Sequence, residues 1–177
     1  MSNINLLAPI IPGTSAGGYI IGTSISSLGE LDSAIVIDSI VQSVSKQLSI
    51  SEGWTCLKTQ SKEENLCCLN TYYYKDDLIR LQFNSREILY CIYLSKGYRG
   101  TAFDKIGIES KLSDVKELFE IDYDSGDEMY YPDEKSGVNG ISFYIDEIFA
   151  EDENIDIEKS KILVICVHNW SFDNETQ

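Results

Sequence analysis

Positive charge is scarce in this chain of 177 residues. Fourteen lysines and arginines stand against 29 aspartates and glutamates, for a formal net charge of −15. Binding to nucleic acid needs cations that neutralise phosphates, and binding to an anionic membrane surface needs the same. Neither partner is therefore expected. Histidine is scarcer still, with His168 alone. No Cys-x-x-Cys pair exists, and Cys67 and Cys68 are neighbours that would point to opposite faces of a strand. A zinc centre is excluded on those grounds, and no metal or other cofactor is expected. The cysteines, Cys56, Cys67, Cys68, Cys91 and Cys166, are odd in number and sit in strand-like apolar stretches. That suits reduced, buried thiols in a cytosol rather than a disulfide framework. Long apolar runs are missing too. The longest, 162–167, is much too short to cross a bilayer, and the first residues lack the charged and apolar regions of a secretory signal. A cytoplasmic location follows as the expectation.

What is present is ordinary globular composition, 43% hydrophobic and 24% charged, enough for one domain spanning 1–177. Apolar residues Ile37, Ile40, Val41, Val44 and Leu48 fall on one helical face behind Ser27 and Glu30, spaced as a capping box. The spacing predicts a helix over 28–49. A second box, Asp114 with Glu117, predicts a short helix carrying Val115, Leu118 and Phe119. Between these, the segments 54–60, 66–74, 77–84 and 87–94 are β-branched or aromatic runs with short polar breaks, read as strands of an antiparallel meander, and two further strands, near 138–146 and 161–169, close the chain. The strands at 87–94 and 161–169 are apolar on both faces and should be central. The expected architecture is α+β: a mainly antiparallel sheet of about six or seven strands with two helices packed on one face. The segment 25–31 weakly echoes 112–118, each following an Ile-Gly step.

The acidity is concentrated. Residues 120–156 carry 13 acidic side chains and one basic one, Lys135; the rest of the chain carries 16 and 13. Such runs are usually solvated faces. Here the density of like charge creates a repulsion that an opposing basic surface would relieve, and interleaved tyrosines offer the anchors that interfaces favour. The candidate partner-binding residues are Asp122, Tyr123, Asp124, Asp127, Glu128, Tyr130, Tyr131, Asp133, Glu134, Asp146, Glu147, Glu151, Asp152 and Glu153. A calcium loop from Asp122 fails the EF-hand order, because the sixth position is Asp127 and not glycine.

One motif points to catalysis. Gly13-Thr14-Ser15-Ala16-Gly17-Gly18 contains Gly-x-Ser-x-Gly, the nucleophile elbow of serine hydrolases, in a form similar to the patatin phospholipases. The elbow needs a strand, a strained turn and then a helix, whereas Tyr19-Ile20-Ile21-Gly22 favours another strand. The upstream glycine-rich oxyanion segment and the Asp-Gly partner are missing. The same stretch lacks the lysine of a phosphate-binding P-loop. His168 shares a strand face with Cys166 and Trp170, which reads as a packed histidine rather than a general base. A turn between two strands is the preferred reading, and a small serine hydrolase using Ser15 is the alternative function.

The segments Ala16-Gly17-Gly18-Tyr19-Ile20-Ile21-Gly22, Leu94-Ser95-Lys96-Gly97-Tyr98-Arg99-Gly100-Thr101, Ile106-Gly107-Ile108-Glu109-Ser110-Lys111-Leu112-Ser113-Asp114-Val115 and Gly137-Val138-Asn139-Gly140-Ile141-Ser142-Phe143 together carry a resemblance in style and order. The chain resembles the immunity proteins of bacterial toxin–immunity systems, especially those of contact-dependent growth inhibition. The resemblance implies a small acidic cytosolic protein without catalysis. It would bind one cognate toxin domain, a basic nuclease above all, and cover its active site with an acidic surface.

Overall fold

The computed structural model describes residues 3–38, 46, 48, 49, 51–58, 70–145 and 160–172. In chain order the strands are β1 (Ser15–Ala16), β2 (Tyr19–Ile20), β3 (Ile35–Asp38), β4 (Trp54–Lys58), β5 (Asn70–Tyr74), β6 (Ile79–Phe83) and β7 (Leu89–Leu94). The helix α1 (Leu112–Lys116) follows, and then β8 (Ile121–Asp124), β9 (Met129–Pro132), β10 (Ile141–Ile145) and β11 (Ile162–His168). β1 and β2 form a small hairpin. The other nine build one sheet in the order β3-β4-β5-β6-β7-β11-β10-β9-β8. β3 pairs parallel with β4, and the remaining neighbours are antiparallel. Two meanders run inward from opposite edges, β4 to β7 and β8 to β11, and meet where β7 pairs with β11. The two strands expected to be central lie at that seam.

The expectation of an α+β layer with two helices is corrected by this architecture. Among the described residues the one α-helix with a complete span is α1, and the sheet is larger and mixed. The predicted helix over 28–49 instead holds a 3-10 turn, Gly29–Ser33, followed by the strand β3. Lys46, Leu48 and Ser49 are helical, and the remainder of 39–50 lies outside the described residues. Ile35, Val36 and Ile37 are β-branched, so their side chains lose less freedom on a pleated surface than in a helix. Pairing with β4 then overrides the 3.6-residue period. The Ser27 cap is not formed; the Glu30 carboxylate accepts from the Asn3 amide at 3.1 Å and the Tyr19 hydroxyl at 3.2 Å. In α1, Asp114 accepts from the Lys111 amide at 3.0 Å, while Leu112 and Val115 are fully buried. The echoed segments 25–31 and 112–118 each lead into an edge strand, β3 and β8.

The two sheet faces differ. One buries Ile79, Leu81, Phe83, Ile92, Leu94, Phe143, Ile165 and Val167 beneath the N-terminal segment and the 95–120 connection, which add Ile10, Tyr19, Leu31, Tyr98, Ile106 and Leu112. Each such side chain contributes about 1.5–3 kcal/mol of burial. The other face gathers Tyr90, Cys91, Met129 and Cys166, with Tyr93, Tyr131, Tyr144, Val164 and Trp170 packed against them. A bulge opposite Gln82 and Phe83 sets Phe83 against Leu89 and Gln82 against Cys91, leaving Tyr90 as the extra residue. Tyr90 and Cys91 thereby both join the second face. No helix among the described residues is long and apolar enough to cross a membrane.

Candidate functional site

The acidic segment folds as a hairpin. Ile121 and Tyr123 alternate with Asp122 and Asp124 along β8, and β9 returns through Met129-Tyr130-Tyr131-Pro132. The Asp124 carboxylate accepts from the Gly126 amide at 2.7 Å, closing an Asx-type turn. The Tyr131 hydroxyl donates to Asp127 Oδ2 at 2.6 Å and fixes the turn over β9. Burial and that acceptor push the Tyr131 phenol well above its usual range, so it stays a donor.

The opposing wall is the end of β11. The His168 amide donates to the Gly140 carbonyl at 3.1 Å, and the Gly13 amide donates to the same oxygen at 2.8 Å. Gly140 has φ +79°, and a Cβ there would lie 2.4 Å from Gly13 Cα, so only glycine allows this three-way approach. Beyond it the Asn169 amide donates to the Tyr90 carbonyl at 2.9 Å, and Asn84 Nδ2 donates to the Phe172 carbonyl at 2.7 Å. These bonds seat the 3-10 turn Trp170–Phe172 on the bulge.

Hairpin and strand end enclose an open groove of about 820 Å³. Its described lining includes Asp122, Asp124, Asp127 and Glu134, the residues Tyr123, Tyr131 and Trp170, and no lysine or arginine. His168 also lines it. The imidazole stacks on Trp170 at 4.4 Å and 24°, meets Tyr131 edge-on at 5.7 Å, and is 5% exposed. Neither ring nitrogen has a hydrogen-bond partner among the described residues. Burial lowers its pKa to about 4, against the opposing pull of Asp127, so the ring is neutral at pH 7.

Of the sequence-predicted residues, the structure brings Asp122, Tyr123, Asp124, Asp127, Tyr131 and Glu134 into this groove. Tyr130 lies apart, on the other face of β9, packed on Tyr123 at 4.9 Å and against the main core. Asp133 is turned inward to cap the 3-10 turn Glu134–Ser136, accepting from the Lys135 amide, with Lys135 Nζ at 3.5 Å. Glu128 sits in the hairpin turn with φ +57° and is not part of the lining. Asp146, Glu147, Glu151, Asp152 and Glu153 lie outside the described residues. His168, Trp170, Gly13 and Gly140 complete the site without having been assigned to it. The sequence signal for the first two was their shared strand face; nothing local marks the glycines as neighbours.

A second cavity of about 290 Å³ adjoins, sharing Asp127, Tyr131 and Trp170 and adding Arg80 and Tyr93. Arg80 is held by Asp77 through two hydrogen bonds and lies over Tyr73 and Tyr93, with 5.2 Å and 4.8 Å to the ring centres. Burial disfavours its charge, but the Asp77 bonds outweigh that and raise its pKa. Behind it, Cys91 and Cys166 are free, fully buried and 3.0 Å apart at sulfur. Burial, with each other's proximity, pushes the Cys91 thiol well above its ordinary range. Cys67 and Cys68 fall outside the described residues.

The Gly-x-Ser-x-Gly motif is a two-residue hairpin. Gly17 and Gly18 take φ +65° and +94° between β1 and β2, the left-handed pair that such turns require. A Cβ on Gly18 would meet the Asn3 carbonyl oxygen at 1.8 Å. Ser15 therefore stands in strand–turn–strand geometry, and it makes no hydrogen bond to His168.

Searches against protein-family models, curated proteins and solved structures find no match to this chain.

Proposed function

We propose that this protein is an immunity protein: it neutralises a cognate toxin domain, a basic nuclease, by laying the acidic groove against the cleft that binds the nuclease's phosphates. One observation carries the reading. Four acidic residues line a single open groove with Tyr131 and Trp170, and no cation is among its described lining residues. Complementary potential speeds encounter, and tyrosine and tryptophan supply the desolvated anchors on which tight complexes depend. Inhibition of this kind needs no chemistry from the inhibitor. It needs a rigid surface, and β9 and β11 are both tied into the nine-stranded sheet.

The test begins with capture from the native cell on tagged protein, washed at low and then high salt. The retained partner is then expressed in a bacterial host alone and together with this protein. One basic partner that arrests growth alone, and is silenced by co-expression, is the expected result. Asp122→Lys, Asp124→Lys and Asp127→Lys combined should abolish the protection. Equal protection by that variant moves the interface elsewhere, and a partner that is harmless alone ends the immunity reading.

A further inference from the structure

We propose that Cys91 and Cys166 are a latent disulfide: the pair closes when the chain folds or opens in the presence of a small-molecule disulfide such as oxidised glutathione, and the bond then clamps the two halves of the sheet together. The inference stands apart from the immunity reading and needs no toxin.

Placement carries it. The two cysteines are 75 residues apart in sequence and lie on β7 and β11, the ladder at which the two meanders meet. Cys91 is opposite His168 there and Cys166 is opposite Tyr93, so the cysteines are diagonal neighbours on the second face of the sheet. Diagonal neighbours usually stand about 7–8 Å apart, too far for short side chains to meet. These two do meet, with their sulfurs 3.0 Å apart, nearer than two thiols rest in ordinary contact. A disulfide needs about 2.05 Å, so closure takes a movement of about 1 Å. Among the described residues the pair has no rival. The third free cysteine, Cys56, lies in the main core on β4, which β5 and β6 separate from β7.

Burial decides when the bond forms. Both cysteines are fully buried, and burial with the neighbouring thiol keeps Cys91 protonated. Only a thiolate attacks a disulfide. The closed sheet is therefore inert, and reaction waits for folding itself or for an opening of the seam. One cysteine, as thiolate, then attacks oxidised glutathione and releases one reduced glutathione. The other cysteine displaces the second glutathione from the mixed disulfide. One S–S bond breaks and one forms; two electrons pass to glutathione, and the two thiol protons end on its sulfurs. Once the seam closes, the same burial keeps reductants out. The bond closes a long loop and so restricts the unfolded chain. It also ties β11, whose end walls the groove, to the other half of the sheet.

The test takes the full-length protein, reduced and unfolded in urea, and refolds it at about pH 8 in an excess of oxidised over reduced glutathione. Alkylation of the remaining thiols and mass spectrometry of an unreduced digest map the bonds. The expected result is one bond per chain, joining the peptides of Cys91 and Cys166, and a melting temperature about 10 °C above that of the reduced protein. Folded protein in the same mixture should acquire the bond at least about tenfold more slowly, and urea below the unfolding transition should speed it. Cys166→Ala should lose both the bond and the gain in melting temperature; Cys91→Ala serves if that variant does not fold. Free thiols at both positions after refolding, bonds from either one to Cys56, Cys67 or Cys68, or a Cys91–Cys166 bond that leaves the melting temperature unchanged or lower would each overturn the clamp. Oxidation of the folded protein as fast as of the unfolded chain would overturn its gating by burial.

Discussion

His168 shows what burial does to one side chain. Its ring lies between Trp170 and Tyr131, and its folded pKa of about 4 is well below that of an exposed histidine. Above about pH 6.5 the ring is neutral in both folded and unfolded chains and adds no pH dependence. As pH falls from 6.5 towards 4, the unfolded chain takes up a proton that the folded chain refuses, so stability is lost across that window. The loss is at most about 3 kcal/mol, from the 1.36 kcal/mol that each pKa unit represents. His168→Phe keeps a ring on Trp170 and removes the titration. Urea unfolding at pH 7 and pH 4.5 should show the parent losing stability relative to this variant at the lower pH; parallel behaviour would mean that the imidazole is solvated. That His168 shares a face of β11 with Cys166 was legible from strand periodicity; its stack on Trp170 was not, because the strand ends at His168 and Trp170 belongs to a 3-10 turn. That the imidazole nitrogens have no hydrogen-bond partner among the described residues was not, because periodicity puts a side chain on a face without saying which groups meet it there.

Strands with two apolar faces declared themselves, and β7 and β11 lie where their composition put them. The edge strands did not. β3 was hidden by a helical period shared with residues further along, although Ile35, Val36 and Ile37 already carried the β-branched signal. β8 was hidden by its charges. Ile121-Asp122-Tyr123-Asp124 alternates as a strand should, but the aspartates lowered its β character and drew attention as a charge run. Both halves of that reading are true at once: an edge strand is protected from pairing with another chain by charge on its exposed positions. Asp122 and Asp124 are exposed on the outermost strand of the sheet. Replacing both with threonine raises β propensity and removes the guard. The variant should fold, yet elute as dimers or larger species whose share grows with concentration in size-exclusion chromatography with light scattering. A variant that stays monomeric at the parent's concentrations would show that the hairpin's twist protects the edge by itself.

Across the whole molecule the charge is segregated: outside 120–156 the acidic and basic side chains nearly balance, 16 against 13. Among the described residues of that segment, Asp122, Asp124, Asp127 and Glu134 line the groove, which is therefore a local source of negative potential. Such a field acts on encounter, over roughly a Debye length, and is screened by salt. Short-range contacts act on dissociation instead. The carboxylates of the site divide along that line. Asp122 stands in solvent on the edge strand, while Asp127 is hydrogen-bonded to Tyr131 and electrostatically coupled to His168. With the captured toxin domain as the ligand, raising salt from about 20 to about 500 mM should slow association of the parent about 10- to 100-fold. Asp122→Asn should lower the association rate and flatten its salt dependence while leaving dissociation nearly unchanged. Asp127→Asn should do the reverse, with dissociation faster by about tenfold for one lost charge-assisted bond. Stopped-flow and surface-plasmon measurements separate the two rates. If both variants change only association, the groove steers the partner without holding it, and the anchor of the complex lies on another surface of the sheet.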